Sequence, residues 1–164
     1  MRAAAFLVAL LLAGCGFQLR GTADVPFQKV YVANATRGLA LELKRQIQAG
    51  TAAKVLDDAR DADAILILSS EQREKEILSL TGTGRVREFR LNYRVGFRLH
   101  DGKGGDYIPA STLQLTRDIT FNDSEVLAKE AEEQLLYRDM QTDMVQQIMR
   151  RIAASQKPEP RAIR

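Results

Sequence analysis

Phe89-Arg90-Leu91-Asn92-Tyr93-Arg94-Val95-Gly96-Phe97-Arg98-Leu99 alternates apolar residues with polar residues or glycine along its whole length. Successive side chains of a strand point to opposite faces, so a period of two predicts a strand with one apolar and one polar face. Asp101-Gly102-Lys103-Gly104-Gly105-Asp106 supplies turn chemistry directly after it, and predicts a hairpin. The return run, Tyr107 to Phe121, places Leu113, Leu115, Ile119 and Phe121 on one face. Such a sheet is covered on one side only.

The flanking segments extend the pattern. Upstream, Ala64 to Leu68 is a continuous apolar run and predicts a buried strand. The residues that follow it, Ser69-Ser70-Glu71-Gln72-Arg73-Glu74-Lys75-Glu76, have helix propensity and a serine suited to an N-cap. The alternating strand nevertheless needs an antiparallel neighbour of similar length, so these residues are assigned to a strand running on beyond the core. Thr81-Gly82-Thr83-Gly84 then makes the hairpin tip. Earlier still, Lys29 to Ala33 predicts a short strand around Val30 and Val32. Arg37 to Ala49 carries Leu39, Leu43 and Ile47 at helical spacing, with Gly50 at the expected C-terminus. Downstream, Asn122 or Asp123 caps a long helix whose apolar stripe is Leu127, Ala131, Leu135, Val145, Ile148, Met149 and Ile152. Arg138 interrupts that stripe, which predicts a kink or break between Tyr137 and Asp139. The order is strand, helix, three strands, helix and tail, an α+β arrangement.

With 45% hydrophobic and 27% charged residues in 164, the composition is that of a single globular domain with disorder confined to the ends. The start of the chain reads differently. Arg2 precedes an apolar run, Ala3 to Leu12, and small residues follow it, the layout of a secretory signal peptide. The run is too short to span a bilayer, which takes about 20 apolar residues. Leu12-Ala13-Gly14-Cys15 resembles the lipobox of bacterial lipoproteins, and Cys15 is the only cysteine of the chain. In such proteins the thiol takes a diacylglyceryl group and the cysteine, once the first residue, is N-acylated. Removal of residues 1–14 leaves 150 residues and, with Arg2 gone, lowers the formal net charge from +3 to +2. Two or more acyl chains anchor a protein stably without spanning the membrane. Gly16 replaces the aspartate that resembles an inner-membrane retention signal, which places the protein at the outer membrane, on the periplasmic side. The expected divisions are a signal peptide over 1–14, a lipidated tether over 15–28, one domain over 29–154 and a disordered tail over 155–164.

Four stretches, in this order, carry a resemblance: Cys15-Gly16-Phe17-Gln18-Leu19-Arg20-Gly21, Arg73-Glu74-Lys75, Gly84-Arg85-Val86-Arg87-Glu88-Phe89 and Val126-Leu127-Ala128-Lys129-Glu130. Together they resemble the LptE family of lipopolysaccharide-assembly lipoproteins. The resemblance implies two helices packed on one face of a four-stranded, mixed and largely antiparallel sheet, which agrees with the element order above. It implies a non-enzymatic role: a plug in the barrel of the outer-membrane protein LptD, stabilising it and assisting insertion of lipopolysaccharide into the outer leaflet. The alternative is an auxiliary lipoprotein of an envelope lipid transporter, facing the periplasm.

Phosphate groups on lipopolysaccharide favour Arg and Lys. Arg90, Arg94 and Arg98 share one strand face, with about 13 Å between neighbours at roughly 3.3 Å per residue. They form either a solvated face or a contact surface for lipopolysaccharide or the barrel wall. Arg85 and Arg87 lie beside the hairpin tip, where a basic protrusion has little folding purpose. Lys129 joins them through its place in the Leu-Ala-Lys-Glu match. Arg117, on the apolar face of its strand, is expected to be a paired structural arginine, with Asp118 pointing the other way.

Enzymatic chemistry has no support. His100 is the only histidine, at a strand end beside a turn, without partners for a metal site or a nucleophile relay. Asp57, Asp58, Asp61 and Asp63 fit a loop. Gly102-Lys103-Gly104-Gly105 lacks the strand-to-helix context of a phosphate cradle. No metal and no cofactor other than the acyl chains on Cys15 is expected, and the export signal argues against nucleic acid.

Overall fold

The computed structural model describes residues 24–158. The signal peptide, Cys15, the motif ending at Gly21 and the tail from residue 159 lie outside the described residues. Residues 155–158 of the expected tail are described and form neither helix nor strand. The chain runs β1 (Lys29–Val32), α1 (Gly38–Gly50), β2 (Lys54–Leu56), β3 (Ala64–Leu80), β4 (Val86–His100), β5 (Asp106–Thr120), a 3₁₀ turn (Asp123–Glu125) and α2 (Val126–Ala153). One sheet of order β2-β1-β3-β4-β5 results, parallel across β2, β1 and β3 and antiparallel across β3, β4 and β5.

The sheet therefore has five strands where four are expected. The additional strand, β2, pairs Lys54, Val55 and Leu56 in parallel with Lys29, Val30 and Tyr31. Three residues are too few for periodicity to declare a strand, and pairing with β1 is what makes them one. Both helices lie on the sheet face that carries Leu91, Tyr93, Val95, Phe97 and Leu99, each at most 1% exposed. Leu39, Leu43 and Ile47 of α1 and Met140, Met144, Ile148 and Ile152 of α2 complete the core. Each such aliphatic side chain contributes about 1.5–3 kcal/mol when fully buried. Phe27, in the segment expected to be tether, also belongs to the core and packs edge-on against Tyr107 at 5.5 Å.

Ser69 to Glu76 is strand, not helix, as the need for a long partner to β4 requires. A bulge between Leu68 and Ser70 shifts the register there. Opposite it, a Cβ on Gly96 would come within 2.5 Å of Ser69 Oγ and 2.7 Å of Ser70 Oγ. Close approach at a bulge explains a glycine in mid-strand. Beyond the bulge, Glu71, Arg73, Lys75 and Ile77 oppose Val95, Tyr93, Leu91 and Phe89 and so face the helices. The Arg73 guanidinium lies 5.0 Å from the Tyr93 ring centroid and 5.5 Å from that of Tyr137, and it donates to Gln141 Oε1 at 2.7 Å. Gln141 donates in turn to Glu42 Oε2 of α1 at 2.7 Å. Charged residues with helix propensity are thus held as strand by aromatic faces and helix side chains.

α2 is continuous from Val126 to Ala153, without the break expected near Arg138. Arg138 is exposed because Tyr137 and Met140 take the core positions. Of the expected stripe, Val145, Ile148 and Ile152 are buried, whereas Leu127 and Leu135 are 82% and 51% exposed and Ala131 is exposed as well. The first half of α2 extends past the core toward the hairpin end. Ile148→Ala is accordingly expected to lower unfolding free energy by about 2–5 kcal/mol, and Leu127→Ala to change it by less than about 0.5 kcal/mol. Urea denaturation of the two variants checks this, and equal losses would place Leu127 in the core.

Candidate functional site

The site is built where the β3–β4 turn, the end of β5 and the start of α2 meet. Thr81 shapes the turn: its N–H donates to Arg85 O at 2.7 Å, its O accepts from Gly84 N at 2.9 Å, and its Oγ1 accepts from Arg85 N at 3.1 Å. Gly84 has φ +79°, a left-handed conformation that a side chain disfavours. Arg85 consequently projects from the tip, with Nη1 3.7 Å from Asp123 Oδ2 and three-quarters of its side chain exposed. Arg87 is exposed one step into β4, and its carbonyl accepts from Phe121 N at 2.8 Å. Phe121 packs edge-on against Phe89 at 5.3 Å. Asn122 accepts from Ser124 N at 3.2 Å and caps the 3₁₀ turn that leads into α2. One turn into α2, Lys129 Nζ donates to Thr120 Oγ1 at 3.2 Å and to Glu132 Oε2 at 2.9 Å. Arg85, Arg87 and Lys129 are thus gathered at one end of the molecule. Lys129, but neither arginine, lines a pocket of ≈ 200 Å³ with Phe89, Ile119, Phe121 and Val126 as apolar lining, and Lys75, Lys129, Glu130 and Glu133 as charged lining.

Arg90, Arg94 and Arg98 occupy the sheet face opposite the helices, as their alternation predicts. Arg90 donates to both carboxylate oxygens of Asp118 at 2.9 and 3.2 Å, Arg98 Nε to Asp106 at 2.7 Å, and Arg94 to Gln114 Oε1 at 3.4 and 3.3 Å. These are cross-strand pairs to β5, and they run from the tip end toward the opposite end of β4. Arg117 lies on the helix side and donates to Asp143 Oδ2 at 2.8 Å, the structural pairing expected of it. His100 Nδ1 accepts from Gly102 N at 3.0 Å. Asp63 accepts from Gln28 N and Lys29 N, Asp57 pairs with Lys44, and Asp58 with Arg60. Among the described residues no cluster of His, Cys, Asp or Glu is arranged to hold a metal, and no helix is long and apolar enough to cross a membrane.

Lys75 is the residue of the pocket that sequence reasoning passed over. Its motif was visible, but the bulge that turns it toward the helices was not.

A family model described as LptE, lipopolysaccharide-assembly, matches residues 27–152. The chain belongs to the LptE family. Similar relatives are the LPS-assembly lipoproteins LptE of Photorhabdus laumondii, 25% identical over 96% of this chain and 87% of that one, and of Yersinia pestis, 32% identical over 89% and 72%. Among solved structures, lipoprotein B of Nitrosomonas europaea is 45% identical with TM-score 0.73, over 85% of this chain and 91% of that one. Rare lipoprotein B of Shewanella oneidensis is 26% identical with TM-score 0.66, over 77% and 94%. The family is one of assembly lipoproteins and not of enzymes.

Electrostatics on the open face give a test. Hydrogen bonding and charge from Arg90 hold the Asp118 carboxyl below the usual carboxylate range. A depressed folded pKa means that the pair stabilises the fold above the ordinary carboxylate pKa, and that this contribution is lost as pH falls through the folded value. In Arg90→Gln, Asp118 is expected to titrate at higher pH than in the parent protein, read by carboxyl ¹³C chemical shifts. An unchanged midpoint would mean that the pair does not form in solution.

Proposed function

We propose that the protein is an outer-membrane lipoprotein, acylated on Cys15, that plugs the LptD barrel from the periplasmic side and contacts lipopolysaccharide through Arg85, Arg87 and Lys129 during its insertion into the outer leaflet. Membership of the LptE family supports the process. The placement of the basic residues supports the mode of action, and it is the observation that carries the proposal. β1 starts beside the start of β3, with Val30 opposite Ala64, while the three basic residues sit at the far end of a strand of 17 residues. At roughly 3.3 Å per residue that is about 55 Å, against about 40–45 Å for a whole bilayer with headgroups. A chain tethered by its N-terminus at the inner leaflet would carry its basic tip across the membrane inside a barrel.

The open sheet face supports the same arrangement. Arg90 with Asp118, Arg94 with Gln114 and Arg98 with Asp106 pair across the strands and leave hydrogen-bonding capacity outward. The lumen of an outer-membrane barrel is polar, so such a face fits it.

Purified from detergent-solubilised membranes, the full lipidated chain is expected to bring down a large barrel protein and to stay with it through washing. Recovery of inner-membrane transporter subunits instead would overturn the plug. Replacement of Arg85, Arg87 and Lys129 by Gln is expected to weaken lipopolysaccharide binding on the order of a hundredfold while leaving the barrel complex intact, at about tenfold or less per charge-assisted contact. Unchanged affinity in an intact complex would remove these residues from the site.

A further inference from the structure

Lys75 belongs to a run of charges on an exposed strand, yet its ammonium is not a free surface charge. Its Nζ lies 4.3 Å from the Phe89 ring centroid and 2.5 Å from Glu133 Oε2. Across the same pocket Lys129 Nζ is held by Glu132 at 2.9 Å. The two lysine side chains are only 34% and 18% exposed, their stems lying against the pocket. An ammonium has three donors, and the single carboxylate bond of Lys75 leaves donors available. Two lysines lining one pocket with an apolar floor of Phe89, Ile119 and Phe121 match one kind of ligand, a phosphate attached to an apolar body.

We propose that Lys75 is a second phosphate-gripping residue of this pocket, acting with Lys129 on one phosphorylated lipid, and that Glu133 is an internal latch which occupies Lys75 until phosphate displaces it. The inference rests on Lys129 being a lipopolysaccharide contact. A phosphate carries more charge and more acceptor oxygens than a carboxylate, so exchange of Glu133 for phosphate on Lys75 is favourable once the lipid is seated. The apolar floor supplies selectivity for a lipid over the free anion. The latch keeps the partly buried Lys75 ammonium from standing uncompensated while the pocket is empty, as Glu132 does for Lys129.

Binding of purified lipopolysaccharide to the full mature chain in detergent tests this, with Lys75→Gln, Lys75→Arg, Glu133→Gln and Lys129→Gln compared and unchanged circular dichroism required of each. Lys75→Gln is expected to bind on the order of tenfold more weakly, Lys75→Arg within roughly twofold of the parent, and Glu133→Gln roughly threefold more tightly. With dephosphorylated lipopolysaccharide the Lys75 and Glu133 variants should match the parent, and millimolar inorganic phosphate should not compete. If Lys75→Gln and Glu133→Gln bind as the parent does while Lys129→Gln is weakened, the second grip is overturned and the Lys129 contact stands. If Lys129→Gln is also unchanged, the underlying contact fails. Equal loss in Lys75→Arg and Lys75→Gln would show stem packing on Phe89, not charge, and would overturn the proposal. Competition by inorganic phosphate at the same strength would overturn the lipid as its ligand.

Discussion

β4 is paired on both sides along nearly its whole length, from Val86 opposite Leu80 to His100 opposite Ile65 on one side and from Glu88 to His100 against β5 on the other. β3 and β5 both take their register from that strand. Its odd-numbered residues from Leu91 to Leu99 belong to the sheet face that both helices cover, α2 lying over β4 and β5 and α1 over β1 and β2, and its even-numbered arginines make the open face. A register slip of one residue would exchange the two faces and turn arginines into the core. Pairing is therefore specified by burial at the core end, and the hairpin carries it to the tip with shifts at the bulge between Leu68 and Ser70 and again between Ile77 and Leu80.

Beyond the core, apolar burial no longer decides the register, and cations on aromatic rings take over part of the task. Arg73 between Tyr93 and Tyr137, and Lys75 over Phe89, fasten β3 to β4 and α2 where β3 itself has no buried apolar side chain. Tyr93 shows how closed this region is: burial pushes its hydroxyl pKa up, and its donated bond to Glu71 at 2.7 Å pushes in the same direction. Tyr137 donates to the backbone carbonyl of Glu74 at 2.9 Å and ties α2 to the middle of the charged run. Polar side chains are consequently part of what makes the long hairpin a single body.

The alternation in β4 and the return face of β5 were legible because period-two patterning is a direct consequence of strand geometry. Ser69 to Glu76 was legible only through its partner, since local propensity favours helix there and tertiary pairing overrides it. β2 was not legible: Lys54-Val55-Leu56 between two alanines and an aspartate is too short to declare itself. The break assigned to α2 came from treating Leu127, Leu135 and Ile148 as one stripe, when the first two extend past the core and face solvent. For the site, the cations were visible but not their partners. That Arg90 faces Asp118 while Lys75 faces Glu133 depends on register and on one bulge, and neither is written in spacing alone.

Packing and function separate along the length of the molecule. Leu39, Leu43, Ile47, Leu66, Leu99, Ile148 and Ile152, fully buried, lie in the part served by all five strands and both helices. The large exposed apolar residues, Ile77, Leu78, Leu80, Val126, Leu127 and Leu135, all belong to the final turns of β3 or the first half of α2. A free-standing domain gains nothing by leaving six such side chains at one end, since burying them would add stability. They concentrate toward the end that carries the basic tip, apart from the packed core. The densely packed end supplies enough stability for them to remain exposed, because contacts distant from one another contribute independently to the fold. The hairpin thereby holds the basic tip far from the core that stabilises it, while the pairing of β4 on both sides connects the two.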